Sequence, residues 1–359
     1  MKKSKDENIT SVLKLIAPGT PIRDGLENIL RAKTGALLLI TDNSEILKEV
    51  VDGGFTINEE YTSSKLYELA KMDGAIVLSG DMKRILYANA QLIPSHEIIT
   101  TETGTRHRTA ERTAKQTGEL VISISQRRNI ITVFKGTDRY VLEDTEVVLN
   151  KANQAIQTLE KYKKVFDNKL NILNEYEFND IVTLQNVILA IQRAEMVMRI
   201  VDEIQRQIYE LGNDGRLVKM QLEELIGGLE KEEKLIIKDY LVATKKKNTP
   251  EKVIESLEEL EYEDLLKEST IAKLLGYEYF DNYDEVGVYP KGYRILSKVP
   301  RMPSNIVENL VESFKSFQHI LAADIESLDD VDGIGEVRAR TIKQSLKRMQ
   351  EQFVFDNII

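Results

Sequence analysis

The stretch Gly104-Thr105-Arg106-His107-Arg108-Thr109-Ala110-Glu111-Arg112 gathers two arginines, a histidine, two threonines and a leading glycine ahead of a further arginine. Thr109 to Thr117 reads as a helix closed by Gly118, so this basic, hydroxyl-rich turn falls at a helix N-terminus. Free backbone N–H groups and the helix dipole favour an anion there. Arginine adds planar, bidentate donors suited to phosphate, and threonine adds neutral donors. Gly104 lets a backbone come close. No GxxxxGK[ST] run occurs, so this is a phosphate cradle of another kind than the P-loop. Standing alone, Arg-His-Arg also describes an ordinary solvated loop.

A second stretch adds chemistry. Met72-Asp73-Gly74-Ala75 joins a helical run, Ser64 to Lys71, to the apolar strand Ala75 to Leu78. Asp followed by Gly is common at such a turn. Beside a basic cradle, however, Asp73 can hold a divalent cation, Mg2+ or Mn2+, or accept a hydroxyl proton. Asp73, Arg106, His107 and Arg108 are therefore the candidate catalytic residues, with Thr105 and Thr109 as further phosphate donors.

These residues must be positioned by a folded domain. Ile9 to Ile16 and Pro21 to Ala32 carry helical spacing, and Ala36 to Ile40 is a short apolar run expected to be a buried strand. Asp42-Asn43-Ser44 reads as a turn, and Gly53-Gly54 as a bend. Arg84 to Ile93, Leu120 to Ser125, Ile130 to Lys135 and Tyr140 to Leu142 are further strands, and Arg127-Arg128-Asn129 is a polar turn. Residues 1–145 are thus expected to form an α/β domain with a central mixed sheet. From Thr145 to about Leu229 there is no proline and apolar residues recur at helical spacing, with breaks at Gly212 to Gly215 and Gly227-Gly228. Residues 146–290 read as an all-α linker and assembly region. Residues 291–359 form an all-α module with an internal repeat: Leu296, Val299, Met302, Ile306 and Leu310 align with Leu328, Val331, Ile334, Arg338 and Ile342, 32 residues on.

The second copy contains Val331-Asp332-Gly333-Ile334-Gly335, a helix-hairpin-helix signature. Gly333 and Gly335 allow a tight hairpin whose N–H groups face a DNA phosphate, with Ile334 turned inward. Such a hairpin reads backbone, not bases. Arg338, Arg340 and Lys343 would supply charge nearby, although residues 291–359 are neutral as a whole, with ten basic against ten acidic side chains. The first copy has Pro300-Arg301-Met302-Pro303 and is expected to pack more than it binds.

Composition narrows the class. A net charge of −10 argues against unspecific attraction of the whole chain to nucleic acid or membrane. No cysteine is present, which excludes disulfides and thiolate metal sites and suits a reducing cytoplasm. The N-terminus lacks an apolar leader core and no run has transmembrane length.

The ordered pair MDGA and GTRHRTAER resembles the diadenylate cyclase family, in the form that carries a C-terminal helix-hairpin-helix module. The likeness extends to Leu15–Pro21, Val50–Phe55, Lys151–Lys163 and Gly333–Ala339. It implies condensation of two ATP into cyclic di-AMP by two domains meeting face to face. It also implies that Gly74, Ala75 and Leu92 border the nucleoside. Assembly as an octamer, binding of branched DNA with inhibition of synthesis, and a cytoplasmic, nucleoid-associated place follow from the same resemblance. Two other readings stay open. One is a DNA-binding scaffold with a nucleotide-sensing domain. The other is an enzyme acting on DNA ends, since Lys71-Met72-Asp73-Gly74 has the KxDG spacing of an adenylated lysine.

Overall fold

The computed structural model describes residues 2–242 and 248–355. The chain packs as two compact units, one comprising Met1–Gln154 with Ile204–Gln221 and the other Ala155–Glu203 with Leu222–Ile359.

In the first unit α1 (Lys2–Leu15) and α2 (Pro21–Arg31) precede β1 (Ala36–Ile40). Thr20 caps α2 through its Oγ1, which accepts from Arg23 N at 3.3 Å, and Pro21 occupies the first turn where no N–H is needed. α3 (Ser44–Val50), β2 (Val51–Asp52), β3 (Phe55–Glu60), α4 (Ser63–Leu69), β4 (Ala75–Leu78), β5 (Arg84–Leu92), α5 (Thr105–Thr117), β6 (Leu120–Ser125), β7 (Ile130–Lys135) and β8 (Asp138–Leu142) follow. The eight strands form one sheet in the order β2-β5-β4-β1-β6-β7-β8, with β3 also on β5. β1 and β4 are parallel and the other pairs antiparallel, so the sheet is mixed, as expected.

Both faces are covered, which explains why the central strands are apolar throughout. Ala36, Leu38, Ile40, Ile122 and Ile124 pack with Val12, Ile16, Ile22, Leu26, Ile29 and Leu66 from α1, α2 and α4 and the residue following α1. Leu37, Leu39, Val121 and Phe134 pack on the opposite face with Ala110 and Ala114 of α5 and Val50 of α3.

Three stretches differ from the sequence reading. The turn at Asp42-Asn43-Ser44 is the start of α3, where the Asn43 carboxamide oxygen accepts from Glu45 N and Ile46 N at 2.9 and 3.4 Å. Strands β2 and β3 flank the Gly53-Gly54 bend, and β3 is exposed along nearly its whole length, so it shows no apolar alternation to find. The third, the start of α5, bears directly on the site.

The second unit is helical. It holds the bulk of α6 (Thr145–Asn179) and α7 (Leu184–Leu211), part of α8 (Arg216–Leu225), and then α9 (Leu229–Tyr240), α10 (Pro250–Glu259), α11 (Tyr262–Leu265) and α12 (Glu268–Leu274). α13 (Tyr293–Ser297), α14 (Ser304–Phe314), α15 (Phe317–Ala322), α16 (Ile325–Asp329) and α17 (Glu336–Phe355) complete it. The repeat read from sequence is a repeat of structure. α13 and α16 begin 32 residues apart, as do α14 and α17, and both hairpins carry a left-handed residue at the same place, Arg301 at φ 58° and Gly333 at φ 81°. Arg294 of α13 is fully buried. It donates to Asn174 Oδ1 at 2.6 Å and to Glu177, whose other oxygen accepts from Tyr240 Oη at 2.7 Å. Asp239 accepts from the N–H groups of Gly292, Tyr293 and Arg294 at 2.8, 2.7 and 3.0 Å, which ties the start of α13 to the end of α9.

Candidate functional site

The register of the sheet assembles the first site. Leu38 lies opposite Ile76 in the parallel pair and Ala36 opposite Ile124 in the antiparallel pair. The heads of β1 and β4 and the tail of β6 therefore share one sheet edge. α5 lies over the sheet and turns into β6 at the left-handed Gly118 (φ 72°), so its own head returns to that edge. Asp73-Gly74, Gly35 and the first turn of α5 therefore lie at the same end of the sheet, although 70 positions of sequence separate Gly35 from Thr105.

The helix begins at Thr105 rather than Thr109, so the cradle is the first helical turn and not a loop before it. Gly104 is the N-cap and offers no side-chain acceptor; its carbonyl accepts from Arg108 N at 2.9 Å. The N–H groups of Thr105, Arg106 and His107 thus have no helical partner and stand ready for an anion. The Arg106 guanidinium lies against the backbone of Gly35, where any Cβ would collide with Nη1. Thr105 and Arg108 are exposed, and Thr109 is half-buried. His107 behaves differently. Its ring is buried, edge-on to Phe134, with Nδ1 3.1 Å from Ser123 Oγ. Burial, reinforced by Arg128, Arg139 and Arg106 and opposed by Glu102, pushes its pKa down. Burial thus disfavours the charged form of its ring, which sets it apart from the two flanking arginines.

Asp73 is exposed at the head of β4. Gly74 sits at φ 89°, and a Cβ there would fall 2.7 Å from Ala90 O, so the turn that presents Asp73 requires glycine. Ala75 and Leu92 are core residues on the same face of the sheet as α5, 0% and 7% exposed, and of the residues assigned to this side only Asp73 and Gly74 stand open. Among the described residues no group of three or more His, Asp or Glu side chains converges as a metal site. A single open carboxylate suits an Mg2+ or Mn2+ ion that takes its remaining ligands from substrate phosphates and water. Lys71 is paired with Glu68 at 2.7 Å, and that hydrogen bond raises its pKa.

The sequence reading missed one wall. A cavity of about 250 Å³ beside His107 is lined by Glu102, Thr103, Ser125, Arg127 and Arg128. Arg128 donates to Thr103 Oγ1 at 3.2 Å, and Arg139 pairs with Glu102 at 2.5 Å. The β6–β7 turn had read only as polar. Nothing in its sequence tells that β6 ends at the head of α5.

Comparison with known proteins fits this arrangement. Residues 23–139 match the family model described as DisA bacterial checkpoint controller nucleotide-binding, and residues 142–283 match that of its linker region. The DNA integrity scanning protein DisA of Clostridium botulinum (strain Loch Maree / Type A3) is 54% identical over 358 residues, 100% of both chains. The chain belongs to this family. Its members in Clostridioides difficile (strain 630) and Carboxydothermus hydrogenoformans are 55% and 56% identical over 355 and 348 residues, covering 99% and 97% of this chain and 98% of each of theirs. The family's nucleotide-binding region includes both the Asp73 turn and the head of α5. No helix among the described residues is long and apolar enough to cross a membrane.

The second candidate site is the C-terminal hairpin. Gly333 and Gly335 are exposed, and Ile334 is buried in the core of the module, as its inward reading required. Gly335 heads α17, its carbonyl accepting from Arg338 N and Ala339 N at 2.8 and 3.0 Å. The basic residues are less free than the sequence suggests. Arg338 folds back to donate to Gly333 O, and Arg340 pairs with Glu336 one turn before it. Lys343 donates to Leu321 O at 2.8 Å and to Ala323 O at 2.5 Å, closing the end of α15.

Proposed function

We propose that this protein is a diadenylate cyclase that condenses two ATP into cyclic di-AMP and releases two diphosphates. The observation that supports the reading is the placement of the Asp73-Gly74 turn and the first turn of α5 at the same end of the sheet. In this scheme the N–H groups of Thr105 to His107, with Arg106, Arg108, Thr105 and Thr109, hold the triphosphate. Gly74 lets the nucleoside approach, with Ala75 and Leu92 beneath it. Asp73 positions the 3′-hydroxyl and accepts its proton, and a bound Mg2+ or Mn2+ would neutralise phosphate charge there. His107 keeps the head of α5 seated on Ser123 and can donate one N–H.

Each protomer holds one ATP, and its 3′-oxygen attacks the α-phosphorus bound by a facing protomer while diphosphate leaves. Residues 1–145 carry the chemistry, 146–290 assemble the oligomer, which the resemblance puts at eight copies, and 291–359 bind DNA with a preference for branched structures. The protein then works in the cytoplasm, on the nucleoid. Incubation with ATP and Mg2+ or Mn2+ alone tests the reaction. Cyclic dinucleotide is expected. A protein that binds ATP without turnover, or that becomes adenylated on lysine, overturns the reading.

A further inference from the structure

Residues 93–104, between β5 and α5, form neither helix nor strand. None of residues 95–106 is buried, and Ile99 is 84% exposed, so apolar packing does not fix the chain where it enters the helix. Polar side chains of α5 do so instead. Arg112 Nε donates to Ile98 O at 2.9 Å, and Lys115 Nζ donates to Ile99 O at 2.9 Å. Glu111, only 7% exposed, takes the next two residues. Its Oε2 accepts from Thr100 Oγ1 and from Thr101 N, the latter at 3.2 Å, while Lys115 Nζ holds its Oε1 at 2.7 Å. Thr100 Oγ1 in turn accepts from Glu102 N at 3.1 Å.

The head of α5 lacks the usual means of holding its own first turn. Its N-cap is Gly104, which makes no side-chain cap bond. A serine, threonine or aspartate there would steady the turn, but its oxygen would accept from one of the N–H groups that an anion needs. With glycine those groups stay free, and the turn depends on how the preceding chain is fixed. Glu111 lies nearly two turns along the same helix and fastens that chain from behind. We propose that Glu111 is a positioning residue for the phosphate cradle: through Thr100 and Thr101 it sets the chain entering Gly104, and so holds the N–H groups of Thr105, Arg106 and His107 in place without occupying them. The inference rests on the reading of that turn as the triphosphate site, and adds to it a residue that touches no substrate.

The test is calorimetric titration of the full chain with 3′-deoxy-ATP and Mg2+, a nucleotide without the attacking hydroxyl, so that affinity is read apart from turnover. Glu111→Ala should weaken binding at least about tenfold, the factor that one hydrogen bond to a charged group typically contributes. Glu111→Gln gives up the ion pair with Lys115 but keeps an acceptor oxygen for Thr100 and Thr101, and should recover most of the affinity. Thr100→Val keeps the side-chain shape and deletes the hydroxyl that joins Glu111 to Glu102 N. It should lose affinity while unfolding at the wild-type temperature, since this segment adds nothing to the core, and it carries the same prediction where Glu111→Ala does not fold. Wild-type affinity in Thr100→Val, or in a folded Glu111→Ala, would overturn the proposal. So would a loss in Glu111→Gln as large as in Glu111→Ala, which would make the Lys115 pair the cause. A wild-type chain that does not bind 3′-deoxy-ATP would refute the cradle reading itself, and this inference with it.

Discussion

The head of α5 offers N–H groups that have no helical partner beside the side chains of Thr105, Arg106 and Arg108, and that divides the labour among residues. Arg106 and Arg108 add charge to the first turn of α5, whereas Asp73 lies on the turn before β4 at the same end of the sheet. Asp73→Asn should therefore leave ATP binding largely intact and remove most turnover, while Arg106→Ala and Arg108→Ala should weaken both. Loss of one preorganised donor to developing charge typically costs roughly 10²–10³ in rate. Paired ATP titrations and turnover assays separate the two patterns, and wild-type turnover in the Asn variant would sink the role given to Asp73. His107 makes a different prediction. Burial holds its pKa below the usual histidine range. The unfolded chain takes up a proton below about pH 6.5, and the folded chain does so only at lower pH. The stability that the neutral ring contributes is complete above that range and is lost as pH falls toward the folded pKa. Urea unfolding from pH 7 to 5.5 should show a steeper decline for wild type than for His107→Asn; parallel declines would place the ring in solvent.

Among elements, the helices of the second unit depend on a polar knot. Arg294 reaches Asn174 and Glu177, while Asp239 holds the backbone at the start of α13. Removing one partner of a buried pair leaves an uncompensated charge and costs about 3–5 kcal/mol. Arg294→Met should lower the stability of the full chain by that order in denaturant unfolding, and Glu177→Leu added to it should recover part of the loss. Additive losses in the double variant would show that the two side chains do not act as a pair. The knot also bears on where the chain can be cut. A truncation near residue 290 removes Arg294 and leaves Glu177 and Asn174 buried without it, so point changes in the hairpin are the cleaner probe of DNA binding.

At the scale of the whole molecule the proposed chemistry needs two protomers. Turnover per protomer of the full chain should fall on dilution through the dissociation range, as followed by light scattering, and a rate that stays flat would contradict the face-to-face scheme. DNA should act through the hairpin. Gly335 has open space where a Cβ would be and heads α17, so Gly335→Asp fits sterically and even suits a helix cap. It nevertheless sets a carboxylate where a phosphate would sit. A four-way junction should slow the wild-type cyclase more than linear duplex of equal length. Its effect should weaken as salt rises, by about 0.9 log units per phosphate contact per log unit of salt. Gly335→Asp should keep basal turnover and lose the inhibition. Inhibition that survives this change moves DNA binding away from the hairpin.

Much of this was fixed locally and could be read without a structure. Gly118 and Pro21 mark helix ends by backbone chemistry, the all-apolar run Ala36–Ile40 declares a strand buried on both faces, and the 32-residue repeat reappears as two helical hairpins in register. The short-range motifs at Asp73-Gly74, Arg106–Arg108 and Gly333–Gly335 were legible because each depends on neighbours a few residues away. What lay beyond reach depends on pairings distant in sequence. Only strand register brings the β4 head, the α5 head and the Arg127-Arg128 turn to one edge. Only packing on Phe134 and Ser123 turns His107 inward and disfavours its charged form, and only the end of α15 occupies the Lys343 ammonium. The exposed strand β3 left no apolar pattern, and Arg23 looked like any surface arginine until the fold buried it. A side chain's type is set by the sequence, but its charge state and its partners are set by what the fold removes from water.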